Sequence, residues 1–268
     1  MKEFLIGVDS DGTAFDSMNA KHRGAFIPAM IEVWGLQQYA EIVKEICERI
    51  NLYSKTRGID RFRGLVLTFE EIEKQGINIA DYSSLKEYID SVQILSNATL
   101  ESYIKEKTDL FLKNVLKWSK RSDILFSKQV ENLPPFTGVK EALEYASCKA
   151  DIAVVSSASK DGLLKDWKNG DIEKYTYKIM GQENGTKKQQ LETAAMDYAP
   201  ECVLMIGDAL GDYAAAESVG ALFYPIVPGK EEVSWKIFKE EACDKFFTKS
   251  FSKDYQQKLL EEFMAVLT

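Results

Sequence analysis

Asp9 and Asp11 stand two positions apart in the stretch Asp9-Ser10-Asp11-Gly12-Thr13, directly after the apolar run Phe4-Leu5-Ile6-Gly7-Val8. Two ionised carboxylates this close repel one another, and a cation or a substrate proton relieves the repulsion. Gly12 lets the backbone turn sharply behind them. The same residue types also build calcium loops and ordinary turns, where Asp and Gly are favoured for backbone reasons. An EF-hand loop places Gly sixth and Glu twelfth. Here Gly12 is fourth, Ala20 occupies the twelfth position, and a strand-like run comes before. That leaves a chemical pair or a plain turn, and the rest of the chain must decide between them.

Three further polar stretches follow later. Ser156-Ser157-Ala158-Ser159 comes after Ile152-Ala153-Val154-Val155, and Gly207-Asp208-Ala209-Leu210-Gly211-Asp212 comes after Cys202-Val203-Leu204-Met205-Ile206. Between them, Gly185-Thr186-Lys187-Lys188 opens a helical pattern. If the apolar runs are parallel strands, their C-terminal ends share one edge of a sheet, where ligands bind in such folds. Acids, a hydroxyl and a lysine on one edge describe a site for Mg²⁺ and a phosphoryl group, since Mg²⁺ takes hard oxygen ligands and a lysine can hold phosphoryl oxygens. Ser156 is preferred over Ser157 because it ends the apolar strand. Lys187 is preferred over Lys188 because it begins the Lys-x-x-x-Leu run into the helix.

The elements that must position these residues can be read from periodicity. Phe4–Val8, Ile152–Val155 and Cys202–Ile206 are short apolar runs that fit buried strands, with weaker strands near 175–180 and 221–227. Helices are expected from Val139 to Ser147, near 160–168, from the Gly185–Lys188 stretch to about Tyr198, through Glu217, and in the tail from Ser234. Strands alternating with helices predict an α/β fold with a doubly wound parallel sheet.

Between residues 17 and 130 nothing reads as a strand. Ile42, Ile46 and Ile50, with Val43 and Cys47, form an apolar stripe at helical spacing. A loop rich in Arg and Gly is expected from Lys55 to Gly64. Leu85, Tyr88, Ile89, Val92 and Leu95 form a second face. Leu100, Tyr103, Ile104, Phe111, Val115 and Trp118 form a third, opened by Asn97 or Thr99 as N-cap. The expected organisation is a sheet domain over residues 1–16 and 131–268, split by an all-helical domain over 17–130.

Bulk composition narrows the function classes. A net charge of −8 argues against nucleic acid as a partner, because phosphate backbones attract Lys and Arg. The four cysteines, Cys47, Cys148, Cys202 and Cys243, lie far apart and match no zinc spacing, which suits a reducing cytosol. The N-terminal apolar stretch is broken by Asp9, and no run reaches the length of a membrane span. A cytoplasmic protein with no membrane partner is the expectation.

The order Asp-x-Asp-Gly-Thr, strand-Ser, Lys, and Gly-Asp-x-x-x-Asp resembles the haloacid dehalogenase (HAD) superfamily. The helical insertion just after the first motif resembles that family's first type of cap on a HAD-like Rossmannoid core. The resemblance implies that Asp9 is the nucleophile that forms an aspartyl-phosphate, and that Asp11 is the general acid and then the base. It implies that Asp9, the backbone carbonyl of Asp11, Asp208 and Asp212 (directly or through water) hold Mg²⁺, and that Ser156, helped by the Ser157 amide, binds a phosphoryl oxygen. Lys187 would neutralise charge on Asp9 and the phosphoryl group, while Gly12 and Thr13 would shape the loop. Hydrolytic dehalogenases and phosphonate hydrolases of the superfamily lack the second Asp. A carboxylate at Asp11 therefore fits C–O–P chemistry, in which the leaving alkoxide needs a proton.

The expected function is a Mg²⁺-dependent phosphatase acting on a small phosphorylated metabolite. A phosphomutase, or a catalytically silent protein that uses the same pocket to bind ligand, are the rivals. Lys55, Arg57, Arg61 and Arg63 form a basic run that could hold a second anionic group of a substrate, against the plainer reading of a solvated loop. Trp34 and Trp118 read as packing residues, and His22 as a packed or exposed side chain rather than a functional one.

Overall fold

Parallel pairing through the first strand organises the molecule. A computed structural model describes residues 1–129 and 133–268. Strand β1 (Phe4–Val8) pairs in parallel with β2 (Ala150–Val155) and β4 (Val203–Gly207). Strand β3 (Lys178–Met180) joins β2, and β5 (Leu222–Pro225) joins β4. The sheet order is β3-β2-β1-β4-β5. Its register places Val8 opposite Val154 and Ile206, so β1, β2 and β4 end at one level.

The sheet is buried on both faces, as apolar parallel strands require. Alternate residues Phe4, Ile6 and Val8 point into one cluster with Ile152, Val154, Leu204, Ile206, Trp167 and Trp235. Leu5 points into the other, with Val155, Met205, Leu191, Ala216 and Phe263. The helices Val139–Ser147 and Lys160–Asn169 contribute to the first layer, and Lys187–Ala195, Leu210–Ser218 and Lys253–Val266 to the second. This is a doubly wound α/β architecture with a helical insertion after β1.

Chain contacts divide the molecule into two compact units, Met1–Met18 with Asn132–Thr268, and Asn19–Glu131. Ser17 and Met18 thus lie with the sheet, and the expected boundary between 130 and 131 lies outside the described residues. The helical unit has its own core of Ile46, Phe62, Phe69, Tyr88, Leu112 and Trp118 among others.

Three local expectations are corrected in the helical unit. The Arg/Gly loop ends at Asp60, not Gly64, because the Asp60 carboxylate accepts hydrogen bonds from the Phe62 and Arg63 amides and starts the helix Arg61–Lys74. The run 97–118 is two helices, Asn97–Glu106 and Leu110–Gln129, and the first is capped by Ser96 in a reciprocal box with Thr99. Ile42 is exposed while Val43, Ile46, Cys47 and Ile50 are buried, so the stripe of helix Ala40–Leu52 is centred one position further on. Among the described residues, no helix is long and apolar enough to cross a membrane.

Candidate active site

Asp9 leaves the sheet still tied to it, its amide donating to the Ile206 carbonyl at 3.0 Å. The chain then turns back on itself. Gly12 takes φ 79°, a conformation that costs glycine little. The Gly12 amide donates to the Phe15 carbonyl at 2.9 Å, and the Ala14 and Phe15 amides donate to the Ser10 carbonyl at 2.9 and 3.1 Å. The loop is also held from outside. The indole of Trp235 donates to the Thr13 carbonyl at 2.8 Å and that of Trp167 to the Ser10 hydroxyl at 3.0 Å, both rings being fully buried.

Asp208 follows β4, and Asp212 lies in the first turn of the helix Leu210–Ser218. Asp212 folds back toward the strand, its carboxylate accepting from the Ala209 amide at 3.1 Å. Gly207 permits this, since a Cβ there would lie 2.3 Å from Cβ of Asp212. The Thr13 hydroxyl lies 2.8 Å from Oδ1 of Asp208, to which it donates, and 3.3 Å from Oδ2 of Asp9. Lys187, in the first turn of the helix Lys187–Ala195, reaches Asp9 at 2.9 Å and Asp212 at 2.6 Å.

Oxygens of Asp9, Asp208 and Asp212 all lie within 4.8 Å of one another, and all three residues are buried. Burial pushes the Asp9 carboxyl well up; Lys187 opposes this, while Asp212 and Asp208 add to it. Asp212 is likewise raised by burial against the pull of Lys187. Burial alone would lower Lys187, but Asp212 and Asp9 outweigh it and keep the ammonium protonated. Three buried carboxylates against one bridging ammonium leave an excess of negative charge in a low-dielectric site. A donor set made only of hard oxygen, carrying that excess, fits a hard divalent cation.

Asp11 stands apart from this triad. It is half-buried and accepts a short hydrogen bond from the buried Ser17 hydroxyl. The Ser156 hydroxyl is buried and accepts from the Ala158 amide at 3.2 Å, whereas Ser157 is exposed. Lys188 points elsewhere, toward Glu192 at 3.8 Å on the exposed side of the helix.

The basic run in the helical unit disperses. Arg57 is buried and donates to the Leu52 carbonyl at 2.8 Å. Arg61 donates to Asp123 at 2.6 Å and to Ser119 at 3.0 Å, and stacks over Phe26 at 4.9 Å. Both serve the internal structure of their unit, and Lys55 and Arg63 are exposed. His22 packs edge-on against Phe26, and Trp118 donates to the Phe26 carbonyl at 3.0 Å.

Sequence reasoning missed Trp167, Trp235 and Gln190, the last of which bonds both to Ser156 and to the loop before Lys187. Each lies in a helix whose pattern marks it only as packing. The single advance signal was a polar glutamine one turn after Lys187, and that position is ambiguous until the helix is laid on the sheet.

A family model for haloacid dehalogenase-like hydrolases matches residues 84–225. This span contains Ser156, Lys187, Asp208 and Asp212 but not Asp9 or Asp11. No curated protein matches the sequence. Among solved structures, a Bacteroides fragilis protein described as a haloacid dehalogenase-like hydrolase aligns with TM-score 0.54 and 18% identity, over 87% of this chain and 93% of its own. A Haemophilus somnus protein predicted to be a phosphoglycolate phosphatase aligns with TM-score 0.54 and 16% identity, over 85% of this chain and 87% of its own. At these identities the likeness is one of fold.

Proposed function

The chain belongs to the haloacid dehalogenase-like hydrolases, and we propose that within this family it is a Mg²⁺-dependent phosphatase that hydrolyses a small phosphorylated metabolite through an aspartyl-phosphate. The observation that carries the reading is the pairing of a buried Asp9, bridged by Lys187 and surrounded by Asp208 and Asp212, with a second, less buried carboxylate two residues on at Asp11. A nucleophile alone would suffice for a carbon–halogen bond. A second acid is needed when the leaving group is an alkoxide.

In this reading a carboxylate oxygen of Asp9 attacks phosphorus as the bond to the ester oxygen breaks, and Asp11 gives its proton to the departing oxygen. Asp11, now ionised, takes a proton from water. The resulting hydroxide attacks the phosphorus of the aspartyl-phosphate, which frees orthophosphate and restores Asp9. Lys187 stays protonated throughout and balances charge on Asp9 and on the phosphoryl oxygens. The Ser156 hydroxyl and the following loop hold those oxygens. Asp9, Asp208 and Asp212, with the Asp11 carbonyl, would hold Mg²⁺, which supplies charge neutralisation to the phosphoryl group. A dication held by these carboxylates would favour the ionised form of Asp9, the form that attacks.

The deciding experiment is phosphate release from a panel of phosphorylated sugars, nucleotides and small acids, with and without Mg²⁺, beside Asp9→Asn. Metal-dependent release that disappears in Asp9→Asn is the expected result. Turnover that needs a bisphosphate primer and yields an isomer would replace the reading with a phosphomutase. A folded protein that binds Mg²⁺ and is silent in both assays would replace it with a ligand-binding protein.

A further inference from the structure

Gln190 is fully buried on the helix Lys187–Ala195, where an unpartnered amide would be costly. Its Oε1 accepts from the Ser156 amide at 2.9 Å and its Nε2 donates to the Ser156 carbonyl at 2.9 Å. The side chain thus pairs with the end of β2 as a neighbouring strand would. The same Nε2 lies 2.9 Å from the carbonyl oxygens of both Gly181 and Gly185. One side chain therefore joins the loop after β2 to the segment that leads from β3 into Lys187.

The two segments also touch directly. The Gln182 amide donates to the Ala158 carbonyl at 2.9 Å, and Glu183 accepts from the Lys160 amide at 3.0 Å. Gly181 lets the backbones meet, since a Cβ there would lie 2.6 Å from the Lys160 nitrogen and 2.7 Å from the Ala158 oxygen.

We infer that Gln190 is a positioning residue that locks the Ser156–Ser159 loop and the 181–187 segment into one frame, which fixes the spacing between the phosphoryl-binding loop and the Lys187 ammonium. The phosphoryl part rests on the phosphatase reading, whereas the clamp itself does not. The position needs both functions of a primary amide at full length. Glutamate would set a carboxylate against three carbonyl oxygens, methionine offers no donor and only a weak acceptor, and asparagine is one methylene short.

The test uses the full chain with Gln190→Met and, should that variant fail to fold, the uncharged Gln190→Asn, which keeps the amide but falls one methylene short of its partners. Amide exchange is followed in 154–160 and 181–188, with β1 as reference, and orthophosphate affinity is measured by calorimetry in Mg²⁺. Loss of buried hydrogen bonds predicts exchange faster by about tenfold or more in both segments together, with β1 unchanged. Orthophosphate binding should weaken by about tenfold. Loosening of only one segment, loosening shared equally with β1, or unchanged orthophosphate affinity with both segments loosened would each overturn the inference. Should the unsubstituted protein bind no orthophosphate and release none from the panel of phosphate esters, the phosphatase reading falls, and the exchange data still decide the clamp.

Discussion

Asp11 and Asp9 share a turn but sit in different surroundings, and that difference separates their proposed work. Asp9 is buried beside a lysine and two acids, whereas Asp11 is half-buried and meets a serine hydroxyl. A group that only moves a proton matters in proportion to how badly the leaving group needs one. Asp11→Asn is therefore expected to slow hydrolysis of an alkyl phosphate by about 10²–10⁴-fold, and that of p-nitrophenyl phosphate far less, because nitrophenolate departs without a proton. Equal losses on both esters would remove Asp11 from the acid role. Asp9→Asn, by contrast, should abolish turnover on both, whatever the leaving group.

At the scale of elements, the loop that follows β1 is steadied by side chains that lie far along the chain. The indole of Trp235 satisfies the Thr13 carbonyl, and Thr13 in turn donates to Asp208. Trp235→Phe leaves that carbonyl unpaired, which predicts a loss of about 1–3 kcal/mol in urea unfolding. A change within error would mean the contact is incidental. In the helical unit, Asp60 caps the helix Arg61–Lys74, yet burial raises its carboxyl against the two amides and the neighbouring arginines that favour ionisation. An acid whose folded pKa is raised favours folding most when protonated, below its unfolded pKa, and that contribution is lost as pH rises through the folded value. Asp60→Asn keeps an acceptor and resembles the protonated form, so it should match or exceed the parent in stability at pH 7, with less advantage under acid conditions. Asp60→Ala removes the cap and should cost about 1 kcal/mol. Thermal melts of the three proteins at neutral and acid pH check the order.

For the whole molecule, the three buried acids are a standing cost until a cation is bound. A ligand that binds only the folded state adds stability by mass action, about 2.7 kcal/mol at a hundred times its dissociation constant. Mg²⁺ is expected to raise the unfolding temperature, and chelation should remove both the rise and the activity. Asp208→Asn relieves like-charge repulsion while keeping an acceptor for Thr13. It should be at least as stable as the parent without metal, and should gain little from Mg²⁺. A parent protein indifferent to Mg²⁺ in calorimetry would contradict the metal assignment.

Much of this was legible from local pattern. Short apolar runs bounded by Asp, Ser and Gly announce buried strands with polar ends, and their alternation with helices announces a parallel sheet. By itself the sequence determined the strand ends at Asp9, Ser156 and Asp208, the helical character of the insertion, and the order of the motifs. Pattern failed where an end depends on a single cap, as at Asp60 and Ser96. Only the tertiary structure decided which lysine faces the acids. Neighbours on a helix point about 100° apart, so the seating of that helix on the sheet sends Lys187 to Asp9 and Lys188 to Glu192. The same holds for Trp167, Trp235 and Gln190, whose partners lie far away in sequence. Hydrophobic periodicity records which side of an element is buried, whereas a hydrogen bond between distant residues exists only once strand register and helix placement bring the two atoms within 3 Å or so of each other.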